Sequence, residues 1–226
     1  MPILKDDRPV GAAVEDYAKA IYALQTRTDG VAVTTNALAE RLGVTPASAS
    51  AMVKKLDGLG LATHRPYHGV QLTPAGAKVA LEVMRHHRLL ELYLVEHLGM
   101  TWDEVHAEAD RLEHHISEGL EDRIAAKLGQ PRHDPHGDPI PARDGSMVDV
   151  PAVPLATLEV GSSGTITRVV DRTTALLQYL AERGLRPGAT VAVVAADELG
   201  GVMTVEVDGD RHALAFVTAA GIMIAA

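Results

Sequence analysis

Histidine and carboxylate side chains recur at helical spacing in the middle third of the sequence. His87 and Glu91 are four residues apart and would share one face of a helix. At about 100° per residue, four further side chains would lie in a stripe roughly 100° wide on the next helix: His106, Asp110, Glu113 and His114. Facing helices of a bundle build metal sites from such residues, and imidazole with carboxylate suits Mn(II), Fe(II), Co(II) or Zn(II).

The alternative for these residues is a set of surface ion pairs, which occur at the same spacing. Ion pairing is the better explanation for any single residue, whereas for six ligand-type residues on two helical faces a metal site is an equally good explanation. The neighbouring His86, His97 and His115 are predicted to be solvated. Earlier in the chain, Glu15 and Asp16 form an acidic pair beside the apolar stripe of a predicted helix.

The composition narrows the class of protein. The chain has 226 residues, of which 46% are hydrophobic, and it has no cysteine. This length predicts one large or two small domains, and the composition excludes collagen-like, disordered and disulfide-stapled classes. Thiolate zinc sites, redox motifs and a cysteine nucleophile are excluded as well. Apolar stretches fall short of the roughly 20 residues that span a bilayer and no signal-peptide run is evident, so a cytoplasmic protein is expected.

The charge is unevenly distributed. The formal net charge of -9 and the pI of 5.6 mildly disfavour a nucleic-acid partner. Residues 1–75 have 8 basic side chains (Lys and Arg) and 7 acidic ones (Asp and Glu). The corresponding numbers are 6 basic and 11 acidic over residues 76–130, and 7 basic and 12 acidic over residues 131–226. Residues 41–68 are basic, with Arg41, Lys54, Lys55 and Arg65 against Asp57. This region could therefore contact phosphate.

The first third predicts a winged helix-turn-helix. One helix ends at a turn at residues 29–30, a second ends at Gly43, and a third begins with Thr45 as N-cap and Pro46 at its first position. Two short strands follow, over residues 61–65 and 70–72. The third helix is narrow enough for a major groove. The residues predicted to contact DNA are Thr45, Pro46, Ala47, Ser48, Ser50, Lys54 and Lys55. The alternative is an ordinary solvated helix face.

The pattern of the last third of the sequence predicts a series of short strands. Residues 130–155 hold 6 of the 12 prolines and predict a linker that could dock on the body of the protein. Beyond it, strands, a short helix over residues 174–183 and a hairpin at Asp208 and Gly209 predict a small five-stranded barrel. The expected fold class is mainly α with a small all-β domain.

Four segments carry a family resemblance: EDYAKAIYAL, LAERLGVTPASASAMVKKLDGLGL, MRHHRLLELYLVEHLGMTWDEVHAEADRLEHHIS and DPHGDPIP. Over about residues 13–141 the chain resembles the diphtheria toxin repressor and manganese transport regulator family. The last third resembles the SH3-like (FeoA-type) module of its longer members. The resemblance implies a winged helix-turn-helix domain at 1–73, a helical metal-binding and dimerisation domain at 74–141, a linker at 142–155 and the SH3-like domain at 156–226.

The resemblance also implies two ligand sets. The primary set would be Asp16, Asp110, Glu113 and His114, and the second set would be His87, Glu91 and His106. Asp16 stands where iron-responsive members have methionine and manganese-responsive members have aspartate. Asp110 stands where the former have cysteine and the latter usually have glutamate, so a site without sulfur favours Mn(II). Lys19 replaces a ligating glutamate of the compact manganese regulators, which favours two separate sites. Asp171 is expected to be a turn residue rather than a ligand.

The expected function is a transcriptional repressor, not an enzyme, that binds operator DNA as a homodimer when loaded with Mn(II) and controls metal uptake. Without metal, Asp16, Asp110 and Glu113 would repel each other and disfavour the DNA-binding arrangement. An iron(II)-responsive repressor is the alternative within the family. A metallohydrolase using Glu113 as base is a distant alternative, since no nucleophile motif or substrate loop is evident. A metal-independent winged-helix regulator that responds to an organic ligand is a further alternative.

Overall fold

The helices of the N-terminal third begin and end at the predicted local signals. They are α1 (Ala12–Arg27), α2 (Thr35–Leu42) and α3 (Pro46–Gly58). Gly43 follows α2 in the left-handed region at φ 63°, where glycine has no Cβ penalty. The Thr45 hydroxyl accepts a hydrogen bond from the Ser48 amide at 3.2 Å and caps α3. These short-range hydrogen bonds determine where α3 and its exposed first turn lie.

The computed structural model describes residues 10–28, 30–148, 150–170 and 173–225. The chain forms two compact units. The first comprises Met1–His87, Asp110–Ile124 and Pro141–Ser146, and the second comprises Arg88–Ala109, Ala125–Ile140 and Met147–Ala226. The predictions for Asp29 and Asp171 lie outside the described residues. No helix in the described ranges is long and apolar enough to cross a membrane.

A two-stranded wing follows α3 in the first unit. Strands β1 (Ala62–Arg65) and β2 (Gly69–Leu72) pair antiparallel, as predicted. The core beneath the helices and the wing consists of buried apolar side chains from all of these elements, among them Ile21, Leu38, Val53, Leu56 and Val70. Burial of this apolar face leaves the opposite, polar face of α3 in solvent.

The middle of the chain contains α4 (Pro74–Leu98), α5 (Val105–Leu112) and α6 (Glu118–Lys127). The prediction of one helical stripe from residue 106 to residue 114 was wrong, because α5 ends at Leu112. The His115 amide donates to the Leu112 carbonyl at 2.9 Å, which closes a tight turn in place of another helical turn. Glu113 and His114 therefore lie in a turn between α5 and α6.

The C-terminal part of the second unit is a six-stranded antiparallel sheet, one strand more than predicted. Its strand order is β3-β8-β4-β5-β6-β7. The strands are β3 (Ala152–Pro154), β4 (Ser163–Val169), β5 (Thr190–Asp197), β6 (Val202–Val207), β7 (Asp210–Ala215) and β8 (Ile222–Ala225), with short helices α7 (Thr174–Ala181) and α8 (Phe216–Ala219) and a 3₁₀ turn (Leu155–Thr157). The extra strand, β3, lies within the predicted linker. It is an edge strand, where proline is tolerated, so its proline-rich composition concealed it.

The core of the β domain includes the single tryptophan of the chain. Trp102, from the connection between α4 and α5, is 4% exposed and packs with buried residues of this domain such as Leu177 and Ile222. The segment after α6 also docks on the β domain: the Val169 amide donates to the His136 carbonyl at 2.9 Å. Gly137 is required there, because a Cβ would lie 1.8 Å from the Thr167 carbonyl oxygen. The mainly α fold with a small β domain is confirmed.

Candidate metal centre and nucleic-acid interface

The acidic pair of α1 meets the turn after α5 in the first unit. His114 Nδ1 donates to Glu15 Oε2 at 2.5 Å, and His114 Nε2 donates to Asp16 Oδ1 at 3.0 Å. Asp16, Glu113 and His114 each offer one ligand-type atom, and these atoms lie within 4.8 Å of one another. Two carboxylates and one imidazole, without sulfur, are a donor set that fits a hard or borderline divalent cation.

Glu113 is the most buried member of this group, with a side chain 0% exposed. Its Oε2 atom accepts a hydrogen bond from His87 Nδ1 at 2.6 Å, and its Oε1 atom accepts one from Lys19 Nζ at 2.6 Å. Asp110 lies beside them, with Oδ1 at 3.2 Å from Lys19 Nζ and at 3.3 Å from His87 Nδ1. All four predicted primary ligands are thus in one polar network of the first unit.

The protonation of His114 follows from its partners. Hydrogen bonds to Asp16 and to Glu15, followed by the charge of Glu113, raise the pKa of His114 to about 10 and outweigh the opposing effect of burial. Both ring nitrogens therefore donate at neutral pH. If His114 held a metal, the metal would have to replace one of these two protons, so its binding would release a proton.

A second group lies in the second unit and shares Glu91 with the predicted second set. Donor atoms of Glu91, Asp134 and His136 lie within 4.8 Å of one another, and these residues are 0%, 4% and 0% exposed. Glu91 Oε2 is 3.7 Å from His136 Nδ1, and His106 Nδ1 is 3.0 Å from Glu91 Oε1. His87, which was predicted to join Glu91 and His106, lies in the first unit, where its Nδ1 atom is 2.6 Å from Glu113 Oε2. The second set of His87, Glu91 and His106 stays a prediction.

In this second group, His136 presents one of its ring nitrogens to the two carboxylates. Its Nε2 atom is 2.8 Å from the Trp102 carbonyl oxygen, which can only accept, so Nε2 carries the proton. Within the described residues, Nδ1 has no hydrogen-bond partner, although it is buried and faces the carboxylates of Glu91 and Asp134. A cation between Nδ1 and these carboxylates, either a proton on the ring or a bound metal, would compensate their charge.

Sequence reasoning missed Asp134 and His136 as ligand candidates. They lie two residues apart in DPHGDPIP, a segment interpreted from its prolines as a linker. The signal was the Asp-x-His spacing, which on its own is short and unspecific. His86, predicted to be solvated, is in fact 1% exposed. His97 and His115 are exposed, as predicted.

The predicted DNA-contacting residues lie on one side of α3. Thr45, Pro46, Ala47, Ser48, Lys54 and Lys55 are exposed, and Ser50 is half-buried. Ala49, Val53 and Leu56 on the same helix are buried. At the tip of the wing, Tyr67 is fully exposed. The geometry provides a polar helix face with two cationic side chains, next to a projecting hairpin.

Three family models match successive parts of the chain. The iron dependent repressor N-terminal DNA binding domain matches residues 10–70, the iron dependent repressor metal binding and dimerisation domain matches 73–142, and the FeoA domain matches 153–226. The chain is 32% identical over 210 residues to the iron-dependent repressor IdeR of Mycobacterium tuberculosis, covering 88% of this chain and 90% of that protein. It is 33% identical over 165 residues to the diphtheria toxin repressor of Corynebacterium diphtheriae, covering 72% and 67%.

Solved structures of metal-dependent repressors are also similar to this chain. A manganese-dependent transcriptional repressor in complex with manganese superposes with a TM-score of 0.83 at 39% identity, covering 94% of this chain and 99% of that one. ScaR with bound Zn²⁺ superposes with a TM-score of 0.75 at 33% identity, covering 93% and 98%. The fold and the site define a metal-dependent transcriptional repressor, which is not an enzyme. The chain belongs to the iron-dependent repressor family, which includes the diphtheria toxin repressor, and the predicted resemblance is confirmed.

Proposed function

We propose that this protein represses metal-uptake genes by binding operator DNA as a homodimer when it is loaded with Mn(II). The observation that carries the proposal is the meeting of Asp16, on the first helix of the DNA-binding region, with Glu113 and His114 in the dimerisation region. A divalent cation would compensate the negative charges of Asp16 and Glu113 at the same time. Ligands from both regions would hold it, so metal loading would restrain the DNA-binding region.

The donor types support Mn(II) over Fe(II). Asp16, Asp110, Glu113 and His114 contribute only oxygen and nitrogen, and the chain has no cysteine. Carboxylate ligands suit Mn(II), whereas thiolate and thioether ligands favour softer ions. Relatives named for iron and for manganese are both similar to this chain, so the iron(II)-responsive repressor is the competing candidate.

Side chains of α3 are proposed to meet the DNA. Thr45, Ser48 and Ser50 would face base edges in the major groove, and the exposed Lys54 and Lys55 would contact phosphates. Metal can shift the protein toward a DNA-binding arrangement only by binding that arrangement more tightly than the others. Operator affinity should therefore report metal loading directly.

The test is operator binding with and without metal. A pool of random double-stranded DNA is selected with the protein in Mn(II), and the affinity for the recovered sequence is measured by fluorescence anisotropy. We expect binding with micromolar Mn(II), loss of binding with chelator, and a higher concentration requirement for Fe(II) under anaerobic conditions. Unchanged DNA affinity after complete metal removal would reject a metal-dependent repressor, and a lower requirement for Fe(II) would identify an iron regulator.

Glu91, Asp134 and His136, with His106 bonded to Glu91, are proposed as a second metal site. Trp102 provides a probe, because its ring stacks on His136 with centroids 5.6 Å apart and the chain has no other tryptophan. We expect Mn(II), which is paramagnetic, to quench Trp102 fluorescence. The variant Glu91→Gln should lose this quenching and bind one metal fewer per chain, measured by equilibrium dialysis.

The matched control is Glu96→Gln, at an exposed position five residues further along α4. In this variant, Mn(II) should quench Trp102 fluorescence as it does in the unmodified chain. Equal quenching and equal metal stoichiometry in both variants would show that Glu91 is not a ligand.

A further inference from the structure

Lys19 contacts the carboxylates that are proposed to bind the primary metal. It lies on α1, three residues after Asp16 and therefore on the same side of the helix. Its Nζ atom is 2.6 Å from Glu113 Oε1 and 3.2 Å from Asp110 Oδ1. The same Glu113 oxygen is 3.4 Å from His114 Nε2. The Lys19 ammonium group therefore contacts Glu113 Oε1, an oxygen that also lies close to another proposed ligand, His114.

This contact changes the expected state of the protein without metal. Repulsion among Asp16, Asp110 and Glu113 was predicted to disfavour the assembled site. The Glu113 side chain is 0% exposed, and a buried carboxylate is costly unless a cation compensates it. Lys19 provides that compensation for Glu113 and Asp110. The metal-free ligand cluster is therefore stabilised by the ammonium group of Lys19.

We propose that Lys19 is an internal competitor of the metal, which weakens metal binding and sets the metal concentration at which the protein responds. The proposal rests on the metal-dependent function proposed above. Lys19 must give up its contact with Glu113 Oε1, or share that oxygen with a second cation, when the site is loaded. Its side chain is 24% exposed, so the ammonium has access to water and can leave the carboxylates without being buried elsewhere.

The variant Lys19→Met tests this competition, because methionine keeps a long unbranched side chain and removes the charge. Mn(II) affinity is measured by titration calorimetry on the full chain in the Glu91→Gln background, where the second site no longer contributes. We expect Lys19→Met to lower the dissociation constant by at least about tenfold, since the competing charge lies within contact distance of the ligands. Lys19→Gln should act in the same direction, and Lys19→Arg should stay near the parent value.

A charge-matched control is Lys127→Met, at an exposed position in the last turn of α6. It should leave the dissociation constant unchanged, which separates local competition from the net charge of the chain. Loss of thermal stability without metal in Lys19→Met, with the folded state checked by circular dichroism, would support the compensating role. An unchanged or weaker Mn(II) affinity in both neutral variants would overturn the proposal. Failure of the unmodified chain to bind Mn(II) would instead overturn the proposed function.

Discussion

Replacing Glu113 with glutamine is expected to abolish metal-dependent operator binding. The amide keeps the size of the side chain but removes the charge of a fully buried group that is proposed as a ligand and contacts Lys19 and His87. Loss of an outer-shell group that orients a metal's ligands typically lowers metal affinity by about 10- to 100-fold, and we expect at least the upper end for a direct ligand. Mn(II) affinity by calorimetry and operator affinity by anisotropy should fall together.

Glu96→Gln is the control, since it makes the same chemical change at an exposed position of α4. It should retain both affinities. Circular dichroism without metal checks that Glu113→Gln remains folded. If Glu113→Gln kept Mn(II) affinity within a few-fold of the parent while Asp16→Asn lost it, the metal would be held without Glu113, and the proposed ligand set would have to be redrawn.

Replacing Glu121 with glutamine is expected to lower the free energy of unfolding by about 3 kcal/mol, because it leaves a buried guanidinium without its counter-ion. Arg85 Nε donates to Glu121 Oε1 at 2.6 Å, and His86 Nε2 donates to Glu121 Oε2 at 3.0 Å. Arg85, His86 and Glu121 are 9%, 1% and 2% exposed. His86 Nδ1 lies 3.2 Å from the Glu113 carbonyl oxygen, so the network packs against the ligand-bearing turn.

Urea unfolding of the metal-free protein measures this effect. Asp122→Asn is the control, one residue later, where the carboxylate is 54% exposed and pairs with Arg143 at 3.1 Å. Such surface ion pairs contribute between about 0 and 1 kcal/mol. Equal destabilisation by the two substitutions would mean that burial of the Glu121 network adds nothing to its strength.

The Glu121 contribution should also depend on pH. Burial by itself would raise the pKa of Glu121, but hydrogen bonds from His86 and Arg85 outweigh burial and lower the pKa to about 2, from an ordinary value of 4.5. The folded-state pKa is thus depressed, so the stabilisation is complete above pH 4.5 and is lost as the pH falls toward 2. The difference in unfolding free energy between the parent and Glu121→Gln should shrink over this interval. A constant difference would contradict the assigned network.

Local signals in the sequence determined the DNA-binding elements of this protein. Thr45 caps α3 through a hydrogen bond to the amide three residues later. Gly43 ends α2 through its own left-handed backbone conformation. Both effects involve only residues that are close together in the sequence. The predicted winged helix and the exposed face of α3 could therefore be derived without tertiary information. The residue types together with the family resemblance predicted a metal site without sulfur at Asp16, Asp110, Glu113 and His114.

Which ligand-type residues meet was decided only by the tertiary structure. His114 bonds to Asp16 across 98 residues of sequence, and helical spacing cannot report such a partner. The same limitation applies to His136, whose Nδ1 atom is turned toward Glu91 by the hydrogen bond of Nε2 to Trp102. His86 was predicted to be solvated because periodicity does not show how many faces of a helix are covered. Pairing and burial depend on elements far apart in the chain, whereas caps and turns depend on their immediate neighbours.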